Sequence, residues 1–217
     1  MVASQTTPFR TPMSKRTLLR SGDELRGNFG NSYVIEECIG EGGTAEVWRA
    51  QGPKGKVALK VLAPASDKGE AVDFEKTMAR LRNEFKALEN VQSKLVVRSL
   101  DLGVHEDRPF LVLEYVEGTR LYEWLARENF APDLNWIEAL IDSLCEAAAV
   151  LHAKEVDGVR LAHRDINPNN IMIVEREETV RVKLIDLGIA LVGRGMTTVG
   201  GSAGFTPFYC APEQVTG

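Results

Sequence analysis

The chain has 217 residues, 44% of them hydrophobic, which is enough to bury a substantial core. Its formal net charge of −5 and pI near 5.4 give no reason to expect a nucleic-acid partner. The three cysteines are isolated and form neither a metal motif nor a disulfide framework, which favours a reducing cytoplasm: Cys38, Cys145 and Cys210. No run approaches the roughly 18 uninterrupted apolar residues of a membrane span.

Residues 1–31 differ in composition from the rest of the chain. They are rich in Ser, Thr, Pro, Gly and basic side chains, and few large apolar residues are present to offset the entropy lost on ordering. We therefore expect a flexible N-terminal tail in which Leu18, Leu19 and Leu25 can dock locally, with the ordered domain beginning near Tyr33 in the first strand.

A glycine-rich segment follows, and a short apolar strand comes after it. The segment consists of Ile39, Gly40, Glu41, Gly42, Gly43, Thr44, Ala45, Glu46 and Val47. Glycines allow the backbone to approach a phosphate closely, although an ordinary hairpin turn would show the same composition. The run Val57, Ala58, Leu59 and Lys60 lies at hairpin distance and ends in a lysine, which by itself is also typical of a solvated strand end.

Residues 71–91 carry apolar side chains at helical spacing, which predicts an amphipathic helix. The apolar stripe consists of Phe74, Met78, Leu81, Phe85 and Leu88, and the carboxylates are Glu75, Glu84 and Glu89. Residues 95–102 and 110–116 are expected to form two further strands. A second helical stripe then consists of Trp136, Leu140, Leu144, Ala147, Ala148 and Leu151.

The segment 163–170 is the richest in chemistry. It contains His163, Arg164 and Asp165, and Asn170 comes five positions after that aspartate. Residues 171–174 and 180–185 predict a hairpin that leads to Asp186. An acidic loop residue, an amide and a second aspartate suit holding magnesium and a nucleotide phosphate beside a hydroxyl nucleophile.

Taken in this order, the motifs resemble those of the protein kinase family. The resemblance rests on the glycine segment, the Val-Ala-x-Lys strand, His-Arg-Asp with its asparagine, and Asp186-Leu187-Gly188. It extends to Thr206-Pro207-Phe208-Tyr209-Cys210-Ala211-Pro212-Glu213. It implies a two-lobed α+β fold: an antiparallel five-stranded N-lobe with one regulatory helix over residues 32–116, and an incomplete, mainly helical C-lobe over residues 117–217.

The resemblance also implies the roles of the site residues. Residues 39–47, Ala58 and Lys60 would bind ATP, together with the hinge residues Glu114 and Val116 that follow a gatekeeper at Leu113. Glu84 would pair with Lys60, because Glu84 and Leu88 match the family's Glu-x-x-x-Leu pattern. Asp165 would orient the substrate hydroxyl, and Asn170 and Asp186 would hold Mg²⁺.

Regulation and partners follow from the same resemblance. Residues 188–213 would form an activation segment in which phosphate on Thr197, Thr198 or Ser202 meets Arg164. The expected activity is that of a bacterial-type serine/threonine protein kinase of the cytoplasm. It would act on protein substrates and self-associate for autophosphorylation, with no nucleic-acid partner and no membrane segment in this chain.

Several departures from the family pattern keep alternatives open. Ala45 replaces the third glycine, Leu187 replaces phenylalanine, Phe205 replaces glycine, and Asn167 stands where most such kinases have a lysine that touches the transferred phosphate. Losing that cation would cost a few kcal/mol of transition-state stabilisation. The chain also ends soon after Glu213, so we expect a fragment of a longer polypeptide. The alternatives are a pseudokinase or inactive fragment that binds nucleotide or acts as a scaffold, and a small-molecule phosphotransferase of related fold.

Overall fold

The computed structural model describes residues 19–42, 45–62, 74–128, 130–176, 179–187, 206 and 209–212. The first half contains β1 (Glu24–Arg26), β2 (Ser32–Glu41), β3 (Ala45–Gly52), β4 (Gly55–Leu62), α1 (Phe74–Glu89), β5 (Ser99–His105) and β6 (Arg108–Glu114). The second half contains β7 (Thr119–Arg120), α2 (Leu121–Leu125), α3 (Leu134–His152), β8 (Glu155–Val156), β9 (Val159–Arg160), β10 (Ile171–Arg176) and β11 (Thr179–Leu184). The expected two-lobed α+β fold is confirmed.

The N-lobe sheet has six strands in the order β1-β2-β3-β4-β6-β5, all paired antiparallel. Its two end strands also meet. The Asn28 N–H donates to the Leu102 carbonyl at 2.7 Å, and Gly27 and Gly103 form an antiparallel bridge. The sheet therefore curls until its first and last strands touch. Two hydrophobic clusters lie on its opposite faces.

The expectation of a flexible tail up to residue 31 does not hold for residues 19–31, although the local docking expected of Leu19 and Leu25 is present. Leu19 and Leu25 are buried, and β1 pairs with β2 so that Leu25 lies opposite Tyr33. A three-residue strand with glycines on both sides has too short an apolar pattern to be recognised in the sequence. This strand is also the reason that the sheet has six strands instead of five. Residues 1–18 lie outside the described residues.

A buried carboxylate connects this N-terminal segment to β5. Asp101 is fully buried and accepts hydrogen bonds from the Phe29 N–H (3.2 Å), the Asn31 amide (3.4 Å) and the Tyr33 hydroxyl (3.0 Å). Its own neighbour Leu102 donates a fourth bond at 2.8 Å. Burial, followed by the hydrogen bond to Asp101, raises the pKa of Tyr33 to about 12, so its hydroxyl remains a donor. Because a buried charge needs partners, these bonds explain how Asp101 is tolerated.

Helix α1 covers one face of the sheet, as its periodicity predicts. Leu81, Phe85 and Leu88 pack in the same cluster as Leu111 and Leu113 of β6, whereas Phe74 at the start of the helix is exposed. The strand expected over residues 95–102 begins only at Ser99. Residues 95–97 instead bond to β11 of the other lobe: the Val97 N–H donates to the Leu184 carbonyl at 2.9 Å, and the Leu184 N–H donates to the Leu95 carbonyl at 2.8 Å.

In the second half, α3 and the β10–β11 hairpin form the framework of the site. Asp133 caps α3 by accepting a hydrogen bond from the Trp136 N–H at 2.8 Å. The Ser143 hydroxyl of α3 accepts a bond from the Val182 N–H at 3.0 Å, which ties the helix to β11. The predicted helix stripe and hairpin are thus both present. The hairpin brings its two ends, before Ile171 and after Leu184, to one place.

The other side of α3 exposes large apolar side chains, namely Leu134, Ile137 and Ile141. Among the described residues, no helix combines the length and apolar character needed to cross a bilayer.

Candidate active site

Lys60 lies between two carboxylates in the cleft between the lobes. Its Nζ is 3.1 Å from Glu84 Oε1, and it also donates to Asp186 Oδ1. Strand β4 supplies the lysine, α1 supplies Glu84, and the end of the β10–β11 hairpin supplies Asp186. The ion pair expected from the sequence is present, and Glu84 is the helix carboxylate that makes it.

Electrostatics keep this lysine charged. Burial would lower the pKa of Lys60, but the nearby charges of Glu84 and Asp186 outweigh burial and raise the pKa above its ordinary value. Burial also raises the pKa of Glu84, and the charge of Lys60 opposes that rise. The lysine is therefore a fixed cation with a carboxylate on either side.

Asp165 lies at the centre of a second group of polar side chains. The Asn170 amide donates to the Asp165 carbonyl and to Oδ2, both at 2.9 Å. Thr206 donates to Oδ1 from its backbone N–H at 3.0 Å and from its hydroxyl at 2.7 Å. Asp165 itself is only half-buried. Its carboxylate is therefore held in a defined orientation at the site while remaining open to solvent.

His163 supports the loop that carries Asp165. It is buried, and its Nδ1 accepts a hydrogen bond from the Asp165 N–H at 3.3 Å. Burial lowers the pKa of His163, although the charges of Asp165 and Asp186 oppose this effect. A buried neutral ring that accepts from the backbone is a structural support for the loop and is poorly placed to exchange protons with a substrate.

The glycine-rich segment is described except for Gly43 and Thr44. The Gly42 N–H donates to the Ala45 carbonyl at 2.9 Å, so Ala45 is accommodated beside the end of β2. Val47 lies opposite Lys60 in the β3–β4 pairing, and Ala58 is on the same face of β4 as Lys60. Glu46 points to the other face. It is buried there, where it accepts from the Trp48 indole at 3.1 Å and lies 3.6 Å from Arg108, so its side chain does not contribute to the face of the sheet that carries Lys60.

The predicted hinge begins at Glu114, whose carboxylate points away from Lys60 and makes a separate set of contacts. It accepts from Lys183 at 2.7 Å and from the Arg98 backbone N–H at 2.9 Å. Leu113 is buried opposite Ala58. Arg120, beyond the hinge, donates to the Ile39 carbonyl of the glycine-rich segment at 3.4 Å and so connects the two sides of the cleft.

The donor set at the hairpin end fits a magnesium ion. Since the Asn170 amide nitrogen donates to Asp165, the amide oxygen is the atom that remains to coordinate a cation. Asp186 contributes a half-exposed carboxylate. In the part of the chain that the structure describes, no three His, Cys, Asp or Glu side chains cluster as a self-sufficient metal site. Magnesium that binds together with a nucleotide commonly takes one or two protein oxygens and completes its shell with phosphate and water.

Some important contacts were not anticipated from the sequence. Thr206 was recognised as part of a motif, but its bonds to Asp165 depend on chain segments that are far apart. Asp101 and the Glu114–Lys183 pair had no motif to reveal them. The sites expected at Thr197, Thr198 and Ser202 lie outside the described residues, as do Gly188 and Glu213.

A model of the protein kinase domain matches residues 33–217. Since the match covers most of the chain, the chain belongs to the protein kinase family. It is 34% identical over 195 residues to a probable serine/threonine-protein kinase of Clostridium perfringens, covering 87% of this chain and 26% of that protein. It is 33% identical over 207 residues to the serine/threonine-protein kinase PknA of Corynebacterium glutamicum, covering 90% of this chain and 40% of that protein. The chain thus spans less than half the length of these bacterial relatives.

Solved structures show the same fold. The kinase domain of Mycobacterium tuberculosis PknI is 26% identical with a TM-score of 0.58, over 80% of this chain and 64% of that one. The apo form of PpkA-294 is 25% identical with a TM-score of 0.61, over 78% of this chain and 61% of that one. Both structures are therefore longer than the region they share with this chain.

Proposed function

We propose that the protein is an ATP-dependent serine/threonine protein kinase that transfers the γ-phosphate of ATP to a hydroxyl group of a protein. The observation that carries the proposal is the proximity of two groups of residues. Lys60 is held by Glu84 and Asp186, and Asp165 is held by Asn170. The two groups meet where the N–H of Ile185, the neighbour of Asp186, donates to the Asn170 carbonyl at 2.9 Å. Phosphoryl transfer needs fixed cations, a metal site and a residue that orients the attacking oxygen, and these groups supply all of them.

In this proposal, Lys60 binds the α- and β-phosphates and Glu84 keeps the lysine in place. The glycine-rich segment covers the phosphates with its backbone, and Val47 and Ala58 contact the adenine, which also meets the backbone of the hinge at Glu114 and Val116. Asn170 and Asp186 hold Mg²⁺, which when bound neutralises phosphate charge. Asp165 orients the hydroxyl of the substrate and accepts its proton.

In this proposal, Thr206 favours a serine or threonine as the acceptor. Its hydroxyl bonds directly to Asp165 and so helps to shape the place where a short acceptor side chain would enter. We further propose that the enzyme acts in the cytoplasm on protein substrates and that it self-associates for autophosphorylation. Phosphate on Thr197, Thr198 or Ser202 would then be bound through Arg164.

The test is the Asp165→Asn variant of the full-length protein, which removes the proton acceptor and keeps the size of the side chain. Phosphate transfer from radiolabelled ATP to a generic protein substrate should fall by roughly a hundredfold or more, while the Kd for ATP with magnesium stays within about twofold. Asp133→Asn, which alters an exposed helix cap, is the control and should retain transfer. Undiminished turnover in the Asp165 variant would contradict the proposal. ATP binding without any transfer by the wild-type protein would favour a pseudokinase.

A further inference from the structure

Asn167 is buried in the loop that carries Asp165, and both ends of its side-chain amide form hydrogen bonds. Its Nδ2 donates to the Asp165 carbonyl at 3.2 Å and to Thr206 Oγ1 at 3.0 Å. Its Oδ1 accepts from the Asn169 N–H at 2.9 Å. Only 3% of the residue is exposed, so these bonds are protected from competition by water.

The neighbours determine which way the amide faces. A backbone N–H can only donate and a carbonyl oxygen can only accept, so Oδ1 must face Asn169 and Nδ2 must face the Asp165 carbonyl. Nδ2 then donates its other hydrogen to Thr206 Oγ1. Since that hydroxyl has a single proton, the proton is directed to Asp165 Oδ1, which lies 2.7 Å away.

We propose that Asn167 is a positioning residue, which acts through the Thr206 hydroxyl to fix the carboxylate of Asp165 for transfer. The inference rests on the proposed kinase function. The direction of the hydrogen bonds runs from the Asn167 amide to the Thr206 hydroxyl to the Asp165 carboxylate. Both amide hydrogens are used within this network, so the residue contributes geometry and supplies no positive charge to the transferred phosphate.

The substitution that tests this direction is Asn167→Asp. The new carboxylate has the same shape and can still accept from the Asn169 N–H, so the loop retains that anchor. It has no hydrogen to donate, so it would accept the Thr206 hydroxyl proton and draw it away from Asp165. Thr206→Val is the second variant, because it removes the hydroxyl, keeps the size, and retains the backbone N–H that donates to Asp165.

Steady-state kinetics of the full-length protein should separate positioning from general damage. Asn167→Asp should lower kcat roughly a hundredfold, and Thr206→Val roughly thirtyfold, with the KM for ATP within about twofold of wild type in both. The double variant should lose no more kcat than Asn167→Asp alone, because the two residues act as one unit. If they acted independently, the losses would multiply to roughly three thousandfold.

Asn169→Asp is the matched control, since it places the same charge on an exposed side chain of the same loop. It should retain kcat within about threefold. The inference is overturned if the two losses multiply, if Asn167→Asp retains kcat, or if Asn169→Asp loses as much as Asn167→Asp. Free energies of unfolding in urea, measured for the wild type, the two single variants and the double variant, give the coupling between Asn167 and Thr206 without any measurement of turnover. A wild-type protein that transfers no phosphate would thus contradict the proposed function. The positioning role would be overturned separately if the losses in free energy of unfolding of Asn167→Asp and Thr206→Val simply added in the double variant.

Discussion

Individual residues at the site hold conformations that depend on the surrounding fold. Arg164 and Asp186 have φ angles of 62° and 51°, in the left-handed region that residues with side chains rarely adopt. Such conformations persist only where neighbouring contacts over-determine them. Here the contacts are the bonds of Lys60 to Asp186 and of Asn170 to the adjoining Asp165, so the backbone and the charged groups hold each other in place.

His163 gives a prediction at this scale. Because burial lowers its pKa, the unfolded chain binds a proton more readily than the folded chain as the pH falls below about 6.5. Stability from this residue is therefore present above that pH and is lost as the pH falls towards the folded-state pKa, with a slope of at most about 1.4 kcal/mol per pH unit. Urea unfolding between about pH 7.5 and about pH 5.5 would measure the slope.

The His163→Phe variant should show a shallower slope than the wild type, since its ring does not titrate. His152→Gln is the control, because this histidine is exposed at the end of α3 and its replacement should leave the slope as it is. Equal slopes for His163→Phe and the wild type would contradict the assignment.

At the scale of the elements, the structure links the lobes at places other than the active site. Residues 95–97 bond to β11, and Lys183 of β11 reaches Glu114 at the end of β6. Both connections fix the strand that ends in Leu184, just before Asp186. The position of Asp186 therefore depends on contacts with the N-lobe behind the hinge as well as on Lys60.

Lys183→Met tests this connection. The Lys183 and Glu114 side chains are 15% and 16% exposed, so among the described residues removing the lysine leaves a largely buried carboxylate with only its bonds to Arg98. We expect a loss of about 1–2 kcal/mol in the free energy of unfolding, less than for a fully isolated buried charge. Urea unfolding measures it. Lys94→Met, at an exposed lysine nearby, should change the value by under about 0.5 kcal/mol, and a similar loss in both variants would argue against a specific link.

The sequence predicted the elements whose pattern is local. The stripes of α1 and α3 and the β10–β11 hairpin follow from spacing, whereas the choice of Glu84 among the α1 carboxylates follows from the match of Glu84 and Leu88 to the family's Glu-x-x-x-Leu pattern. Contacts between distant segments could not be predicted in the same way. Nothing near Asp101 in the chain shows that Tyr33 will donate to it. The sequence around Asn167 indicates only the loss of a cation, because Thr206, which accepts its hydrogen bond, is 39 residues away in the chain.

At the scale of the whole molecule, the N-lobe sheet depends on residues that precede the region of family similarity. The matching family model starts at residue 33, whereas Leu19 and Leu25, which precede it, are buried. Glycine is required at the meeting point of the end strands. A Cβ on Gly27 would lie 2.1 Å from Asp101 Oδ2, and one on Gly103 would lie 2.8 Å from the Arg26 carbonyl.

Deletions test where the folded unit begins. Removing residues 1–18 should leave the free energy of unfolding unchanged within about 0.5 kcal/mol. Removing residues 1–31 deletes β1, the buried Leu19 and Leu25, and two donors to Asp101. We expect a loss of at least about 3 kcal/mol, on the basis of roughly 1.5–3 kcal/mol for each buried leucine. Equal stability of the two shortened chains in urea would show that β1 contributes nothing.

The meeting of β1 with β5 also affects how copies of the protein behave towards each other. An open sheet presents unpaired N–H and C=O groups along its end strands, and these groups can pair with the strands of another molecule. In this protein, the Asn28–Leu102 hydrogen bond and the Gly27–Gly103 bridge occupy part of both edges. A chain that begins at residue 32 would lack β1 and would expose the edges of β2 and β5 together. We therefore expect it to aggregate through intermolecular strand pairing at concentrations where the longer chain remains dispersed.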